Sequence, residues 1–145
     1  LGTKYSSALG LQYTNKEGKQ HDVLMGSYGI GIGRVMGTIV EASHDKDGII
    51  WTKNTSPYHL HLLNLSKNDQ ADKIYTQIQK QGLEVLFDDR DISFGKKLKD
   101  ADLIGIPWQL IVSDKQAELE LVSRSDHKKQ MVSFDQALKI IKQFY

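Results

Sequence analysis

Nine residues with four glycines and one arginine constrain this chain more than any other part of its sequence. Residues 26–34 read Gly-Ser-Tyr-Gly-Ile-Gly-Ile-Gly-Arg, which leaves a stretch of backbone almost bare of side chains. A strand of this kind allows a flat ligand to lie directly on the main chain. We therefore predict a strand over residues 23–28 and, at its glycine-rich end, a shelf for a ligand.

The hydrophobic spacing changes directly after the glycines. Apolar residues then recur at helical intervals and form one stripe, at Ile32, Val35, Met36, Ile39 and Val40. This pattern predicts an amphipathic helix over residues 32–43. Arg34 lies outside the stripe in the first turn, where a guanidinium group is suited to holding a phosphate or stacking on a purine. The glycines and Arg34 together indicate a nucleotide site.

The residues alone allow other interpretations of this stretch. Glycines in a strand can mark close packing or a bulge and nothing more. Residues 31–37 also imitate a dinucleotide fingerprint, but such a site needs an acidic ribose ligand about 20 residues further on. Glu41 and Asp45 come too early for that role. The chain has no Gly-Lys-Ser or Gly-Lys-Thr, which excludes a P-loop.

The composition is that of an ordinary globular protein, with 39% hydrophobic and 26% charged residues among 145. A net charge of +1 provides no general attraction for nucleic acid, so any such contact requires a local patch. The absence of cysteine excludes disulfides and thiolate metal sites and fits a reducing compartment. No apolar run reaches membrane length and no signal peptide is present, so we expect a cytoplasmic location without a membrane partner. Because the first residue is Leu1, we expect an excised piece of a longer chain.

Residues 57–145 alternate between strand and helix patterns. We predict strands over residues 59–65, 83–87, 108–112, 118–123 and 130–132, and helices over residues 68–81, 95–104 and 133–144. Ser133 and Gln136 have the spacing of a capping box at the start of the last helix. Residues 108–112 are apolar on both faces and should form a central strand. The alternation predicts an α/β fold with a mixed β-sheet flanked by helices.

Residues 1–52 contain too few elements for an independent domain. Two or three strands and one good helix cannot cover a sheet on both faces, so the apolar stripe should need a partner. A polar stretch over residues 45–56, interrupted by Gly48, follows the helix. We place a domain boundary between residues 52 and 53.

The glycine-rich stretch resembles motif 3 of the class II aminoacyl-tRNA synthetases, and its surroundings resemble the bacterial type of the prolyl-tRNA synthetase family. The similar segments keep the order of the family: residues 1–6, 44–45, 48–51, 57–58, 61–62, 88–90 and 97–107. The resemblance therefore covers residues 1 to about 112.

The resemblance implies two parts of a larger enzyme. Residues 1–52 would be the incomplete end of an antiparallel-sheet class II catalytic domain, and residues 53–145 an anticodon-binding domain. Motifs 1 and 2, with the dimer interface of a homodimer and a second ATP-binding arginine, would lie before Leu1. The implied function is activation of proline with ATP, with magnesium in the full enzyme, and transfer of proline to its tRNA. The fragment alone is expected to be inactive.

Family positions imply roles for the motif residues. Gly31, Gly33 and Arg34 would bind ATP, with Arg34 as the catalytic residue, and Ser27 and Gly29 would border the pocket for proline and its adenylate. Both steps of the reaction depend on positioning and charge stabilisation, so no nucleophilic side chain is expected.

A mixed charged patch lies in the second part of the chain. It consists of Asp88, Asp89, Arg90, Asp91, Lys96, Lys97 and Lys99. From the residues alone this is either a solvated loop or a surface that binds an unpaired RNA loop, with lysines on phosphates and Arg90 and the carboxylates on base edges. The resemblance implies that Asp89, Arg90, Lys97 and Lys99 contact the tRNA anticodon, whereas Ser93, Phe94 and Lys96 differ from the residues usual in the family.

The two histidines near the start of the first strand of the second part, and the fold itself, allow further interpretations. His59 and His61 could share a strand face, but without cysteine or a nearby carboxylate pair we predict no metal site. An alternative function is a non-catalytic module that uses the anticodon-binding fold to hold RNA or a protein partner.

Overall fold

The computed structural model describes residues 1–114 and 118–145, and the chain divides into two compact units, Leu1–Met36 and Gly37–Tyr145. The first unit contains helix α1 (Lys4–Leu9) and the antiparallel strands β1 (Gln12–Thr14) and β2 (Gln20–Asp22). The carboxamide oxygen of Asn15 accepts hydrogen bonds from the backbone of Glu17 and Lys19, which closes the turn between the two strands.

The predicted strand over residues 23–28 is wrong. Residues 26–31 have no regular structure, and the one bridge in this region joins Met25 to Gly2 within the described chain. A strand needs a neighbour along its length, and within residues 23–28 the bridge to Gly2 pairs Met25 alone. The glycine-rich stretch therefore has no strand pairing along its length.

The predicted amphipathic helix is confirmed as α2 (Ile32–Ala42). Its stripe is not covered: Ile32 is 84% exposed, Met36 is 54% exposed, and none of the described residues of this helix is buried. The histidine after the helix, His44, places Nδ1 3.0 Å from the carbonyl oxygen of Val40, near the last turn. The helix therefore forms without burying the face that its sequence predicts.

The second unit is built on a mixed sheet, as predicted. Its five described strands are β5 (Leu60–Asn64), β6 (Val85–Asp88), β7 (Trp108–Val112), β8 (Leu119–Ser123) and β9 (Lys129–Val132), in the order β6-β5-β7-β8-β9. Strand β5 pairs in parallel with both β6 and β7, whereas β7, β8 and β9 pair antiparallel. The helices are α3 (Gln70–Lys80), α4 (Phe94–Ile104) and α5 (Phe134–Phe144). The prediction of a central strand over residues 108–112 is confirmed.

Helices cover both faces of this sheet. Alternate residues of the strands, such as Leu62 and Leu110, pack with Ile78 of α3 and Ile141 of α5 on one face. Residues of opposite orientation, Leu63, Ile111 and Val122, pack with Ala101 of α4 on the other face. The predicted capping box is present at the start of α5, where Ser133 and Gln136 exchange side-chain hydrogen bonds with each other's backbone. The predicted architecture of an α/β fold with flanking helices is confirmed.

A short hairpin of β3 (His44–Asp45) and β4 (Gly48–Ile49) packs against the C-terminal end of α4. Gly105 has φ 82°, and a β-carbon there would overlap with the carbonyl oxygen of Ile49. Trp51 donates from its indole nitrogen to the carbonyl oxygen of Ile104 over 2.9 Å. The predicted boundary between residues 52 and 53 stays a prediction.

Arg124 joins the same hairpin to the sheet. Its side chain is fully buried, and its guanidinium group donates to both carboxylate oxygens of Asp45 over 2.8 and 2.7 Å. A third hydrogen bond runs from Nε to the carbonyl oxygen of Asp102 in α4. These hydrogen bonds lower the pKa of Asp45 far below that of a free carboxyl group.

In the described residues, no helix is both long and apolar enough to cross a membrane.

Replacing Gly105 with alanine should destabilise the second unit in two ways. The left-handed backbone costs roughly 1 to 2 kcal/mol for alanine, and the overlap with Ile49 should add roughly 1 to 3 kcal/mol. Gly82→Ala is the matched control, because Gly82 has φ 77° but open space around it. Urea unfolding of both variants separates the two effects. An equal loss in both would contradict the close packing at Gly105.

Asp45→Asn should lower stability at neutral pH, because it leaves the buried Arg124 without its carboxylate. The folded-state pKa of Asp45 is depressed, so the ion pair stabilises the fold above about pH 4 and this contribution is lost as the pH falls further. The wild type should therefore lose more stability between pH 5 and 2 than Asp45→Asn, and Asp47→Asn should behave like the wild type. Urea midpoints across this pH range provide the measurement, and parallel curves for all three proteins would contradict the role of Asp45.

Candidate nucleic-acid interface

The three parallel strands end on the same edge of the sheet. The connection from β5 runs through α3 to β6 on one side of β5, and the connection from β6 then runs through α4 to β7 on the other side of β5. In open α/β sheets, ligands bind in the crevice at the carboxyl ends of strands where the order reverses in this way. The fold itself therefore points to this edge as a binding site.

A cavity of about 650 Å³ lies at this edge and is called here the carboxyl-edge cavity. Its lining consists of Asn64, Leu65, Ser66, Lys67, Asp89, Arg90, Asp91, Ile92, Phe94, Lys97, Ile111, Ser113 and Glu120. Three of the predicted anticodon residues, Asp89, Arg90 and Lys97, are among them. Lys99 is exposed on α4 and does not line the cavity.

Arg90 is held by two carboxylates. Its Nε and Nη2 donate to the two oxygens of Asp88 over 2.9 and 2.8 Å, and Nη2 also donates to Asp100 over 2.8 Å. These hydrogen bonds lower the pKa of Asp88 and raise that of Arg90, so both groups stay charged at neutral pH. Half of the Arg90 side chain is nevertheless exposed. The guanidinium group therefore has a fixed orientation and an accessible surface.

Lys97 differs from the solvated lysine that its sequence neighbours suggest. It is 3% exposed, and Nζ donates to the carbonyl oxygens of Asn64 over 2.6 Å and Asp88 over 3.2 Å. Nζ also lies 3.9 Å from a carboxylate oxygen of Asp88. Lys97 thus joins the ends of β5 and β6 beneath the cavity, and its place in anticodon contact stays a prediction.

The remaining charged residues of the patch lie at the surface. Asp89, Lys96 and Lys99 are all exposed. The lining of the cavity combines three basic residues, Lys67, Arg90 and Lys97, with three acidic ones, Asp89, Asp91 and Glu120. The cavity therefore has no excess of either charge and is better suited to a polar, neutral group than to a chain of phosphates alone.

A second cavity of about 340 Å³ adjoins the first, with Arg90 in the lining of both. His61 lines it and is 2% exposed, and its Nδ1 has no hydrogen-bond partner among the described residues. Burial lowers the pKa of His61 to about 4, so the ring is neutral at pH 7. His59 instead accepts a hydrogen bond at Nδ1 from the backbone of Glu84. His61, within β5, is therefore buried at a cavity, whereas His59, just before β5, holds the backbone of Glu84.

One group in the described part of the chain has the residue types of a metal site: Asp45, Asp47 and His127, whose ligand atoms lie within 4.8 Å of one another. Both carboxylate oxygens of Asp45 already accept hydrogen bonds from Arg124. A cation there would have to compete with a buried guanidinium group, so these residues fit an ion pair better than a metal.

The residues predicted to bind ATP and proline all belong to the first unit, whereas the charged patch belongs to the second unit. Ser27, Gly29, Gly31 and Gly33 are exposed, and Arg34 is exposed in the first turn of α2. Their assignment to ATP and proline stays a prediction.

Sequence reasoning missed the other wall of the carboxyl-edge cavity. Asn64 ends β5, Ser66 and Lys67 follow it, and Ser113 follows the end of β7. The signal was present, because residues directly after parallel strands converge on one edge of a sheet. It depended on knowing that β5 lies between β6 and β7.

Comparisons with known proteins agree with this fold. A family model described as the anticodon binding domain matches residues 55–144. The chain is 48% identical over 143 residues to the proline–tRNA ligase of Persephonella marina, which covers 94% of this chain and 25% of that protein. It is 42% identical over 149 residues to the proline–tRNA ligase of Zymomonas mobilis, with 97% and 34% covered.

Solved structures give the same fold at much lower identity. Prolyl-tRNA synthetase from Cryptosporidium parvum, complexed with L-proline and AMP, matches with a TM-score of 0.69 and 17% identity over 99% of this chain and 34% of that one. Its complex with halofuginone and AMPPNP matches with a TM-score of 0.70.

The matches cover different shares of this chain and of its relatives. The chain spans about a quarter to a third of the length of the curated relatives that it matches. The family model, by contrast, covers well over half of this chain. The chain therefore belongs to the anticodon binding domain family, and the relatives that it matches over nearly its whole length are proline–tRNA ligases.

Proposed function

We propose that this chain is part of a prolyl-tRNA synthetase and that residues 53–145 bind the anticodon loop of proline tRNA at the carboxyl-edge cavity. One observation carries the proposal: Arg90 is fixed by Asp88 and Asp100 at the rim of a cavity formed where parallel strands end. Asp88 and Asp100 engage Nε and Nη2, so the half-exposed guanidinium group presents Nη1 as its donor to a base edge of an unpaired loop. The names of the relatives support the same function.

Lys97 contributes to this function from below the cavity. Its ammonium group is engaged by two strand-end carbonyls, so its main effect is on the position of the loops that follow Asn64 and Asp88. We therefore assign Lys97 as a positioning residue. Lys99 and Asp89 are exposed beside it and are proposed as direct contacts, Lys99 with phosphate and Asp89 with a base edge.

The proposed reaction of the full-length enzyme has two steps. The carboxylate of proline attacks the α-phosphate of ATP and releases pyrophosphate, and a ribose hydroxyl of the tRNA then attacks the adenylate and releases AMP. Arg34 is proposed to stabilise the charge on the nucleotide, with Gly31 and Gly33 beneath it and Ser27 and Gly29 near proline. The capture of L-proline and AMP by the Cryptosporidium parvum enzyme supports these substrates.

Magnesium, a homodimeric state and a cytoplasmic location belong to the same proposal for the full-length enzyme. The group that resembles a metal site is engaged by Arg124, so we propose no magnesium ligand among residues 1–114 and 118–145. The alternative of a non-catalytic binding module is not favoured, because the relatives with 42 to 48% identity are proline–tRNA ligases.

Arg90→Lys should selectively weaken binding of the cognate anticodon stem-loop. The variant keeps the charge but loses the planar fork, so affinity for the proline stem-loop should fall roughly fivefold to a hundredfold while noncognate stem-loops change little. Fluorescence anisotropy titrations at several salt concentrations provide the measurement. Lys139→Ala on α5, across the sheet from α4, is the control and should bind like the wild type. An equal loss for cognate and noncognate loops would remove Arg90 from base recognition.

In the full-length enzyme, Arg34→Ala should reduce proline-dependent exchange between ATP and pyrophosphate on the order of a hundredfold. The loss follows from removal of a charge-assisted contact to the nucleotide in the transition state. Lys4→Ala is a suitable control, since Lys4 is an exposed cation of the same unit. An unchanged exchange rate in Arg34→Ala would exclude Arg34 from the ATP site.

A further inference from the structure

The wall of the carboxyl-edge cavity contains an exposed phenylalanine. Phe94 is the first residue of α4, lines the cavity beside Ile92, and is 44% exposed. It belongs to neither hydrophobic cluster of the described residues and takes part in none of the aromatic pairs found there. The ring therefore contributes little to the core and offers an open aromatic face at the cavity.

The groups around this ring match one kind of ligand. Ile92 and Leu65 add apolar surface, while Asp91 offers hydrogen-bond acceptors to amino and imino groups, as does Glu120 through the carboxylate oxygen that is not paired with Lys129. The equal numbers of acidic and basic residues in the lining give no strong attraction for a polyanion. A flat π-system with a hydrogen-bonding edge and no charge of its own fits these properties, and this describes a nucleobase.

The position of Phe94 also separates it from the groups that hold the cavity together. Arg90 is fixed by Asp88 and Asp100, and Lys97 is engaged with strand-end carbonyls. Phe94, by contrast, has a hydrocarbon side chain, so its truncation to alanine removes none of these hydrogen bonds. Its contribution to binding can therefore be measured separately from the integrity of the site.

We propose that Phe94 is a stacking platform for one unpaired base of the RNA loop bound at the carboxyl-edge cavity. The inference rests on the proposed function, because the loop that supplies the base is the anticodon loop. Stacking on an aromatic ring tolerates any base, so Phe94 adds affinity while Arg90 adds discrimination. The contribution is also largely independent of salt, unlike a contact between lysine and phosphate.

The first test compares variants of the 145-residue chain in titrations with the proline anticodon stem-loop. Phe94→Ala should lower affinity roughly fivefold to a hundredfold, by the same factor at low and high salt, and Phe94→Tyr should retain most of the affinity. Leu103→Ala is the matched control, because Leu103 is a 61% exposed apolar residue of the same helix that lines the other cavity. Equal affinities for Phe94→Ala and Leu103→Ala would overturn the inference.

The second test links the ring to a base. Each nucleotide of the anticodon loop is replaced in turn by an abasic residue, and binding is measured to the wild type and to Phe94→Ala. At one position, the abasic change should weaken the wild type strongly and Phe94→Ala little, because ring and base act as a pair. Additive losses at every position of the loop would contradict stacking while leaving the proposed function intact. Failure of the wild type to bind any stem-loop would contradict the proposed function and this inference with it.

Discussion

A buried ammonium group is the interaction on which the candidate site depends. Lys97 lies at 3% exposure with Nζ between the carbonyl oxygens that end β5 and β6. Because an ammonium group without hydrogen bonds is strongly unfavourable in such a place, the two strand ends have to stay within its reach. The loop that carries Arg90 starts at one of these ends, and the loop of residues 65–67 starts at the other. One lysine thus fixes both walls of the carboxyl-edge cavity.

The contacts of α4 explain why fold and site cannot be separated here. Its inner face supplies Ala101 to the core and Lys97 to the strand ends, and Asp100 holds Arg90 from the same helix. At its C-terminal end, the hairpin of β3 and β4 packs closely on Gly105, and Trp51 donates a hydrogen bond to Ile104. Arg90 and Phe94 remain exposed at the cavity, where a ligand can reach them. The helix therefore combines support of the sheet with orientation of the binding groups.

The elements of the second unit were predictable from sequence because their signals are local. The capping box at Ser133 and the apolar run of β7 each lie within a few residues, and both predictions are confirmed.

The predicted strand over residues 23–28 was wrong because pairing depends on a neighbour that local sequence does not specify. The resemblance predicts Lys97 as an anticodon contact and did not indicate its burial, although Lys97 precedes the buried Ala101 by four residues and so shares its helix face. The cavity wall after β5 required the strand order, which periodicity does not contain.

The central claim is that RNA binds at the carboxyl ends of the parallel strands. Its most direct test is the mapping of backbone amide NMR shifts while the proline anticodon stem-loop is added to the chain. The account predicts shifts concentrated at residues 64–67, 89–94 and 113, with α5 and the adjoining β9 unchanged. Binding accompanied by shifts on α5 and β9, with residues 64–67 and 89–94 unaffected, would contradict it.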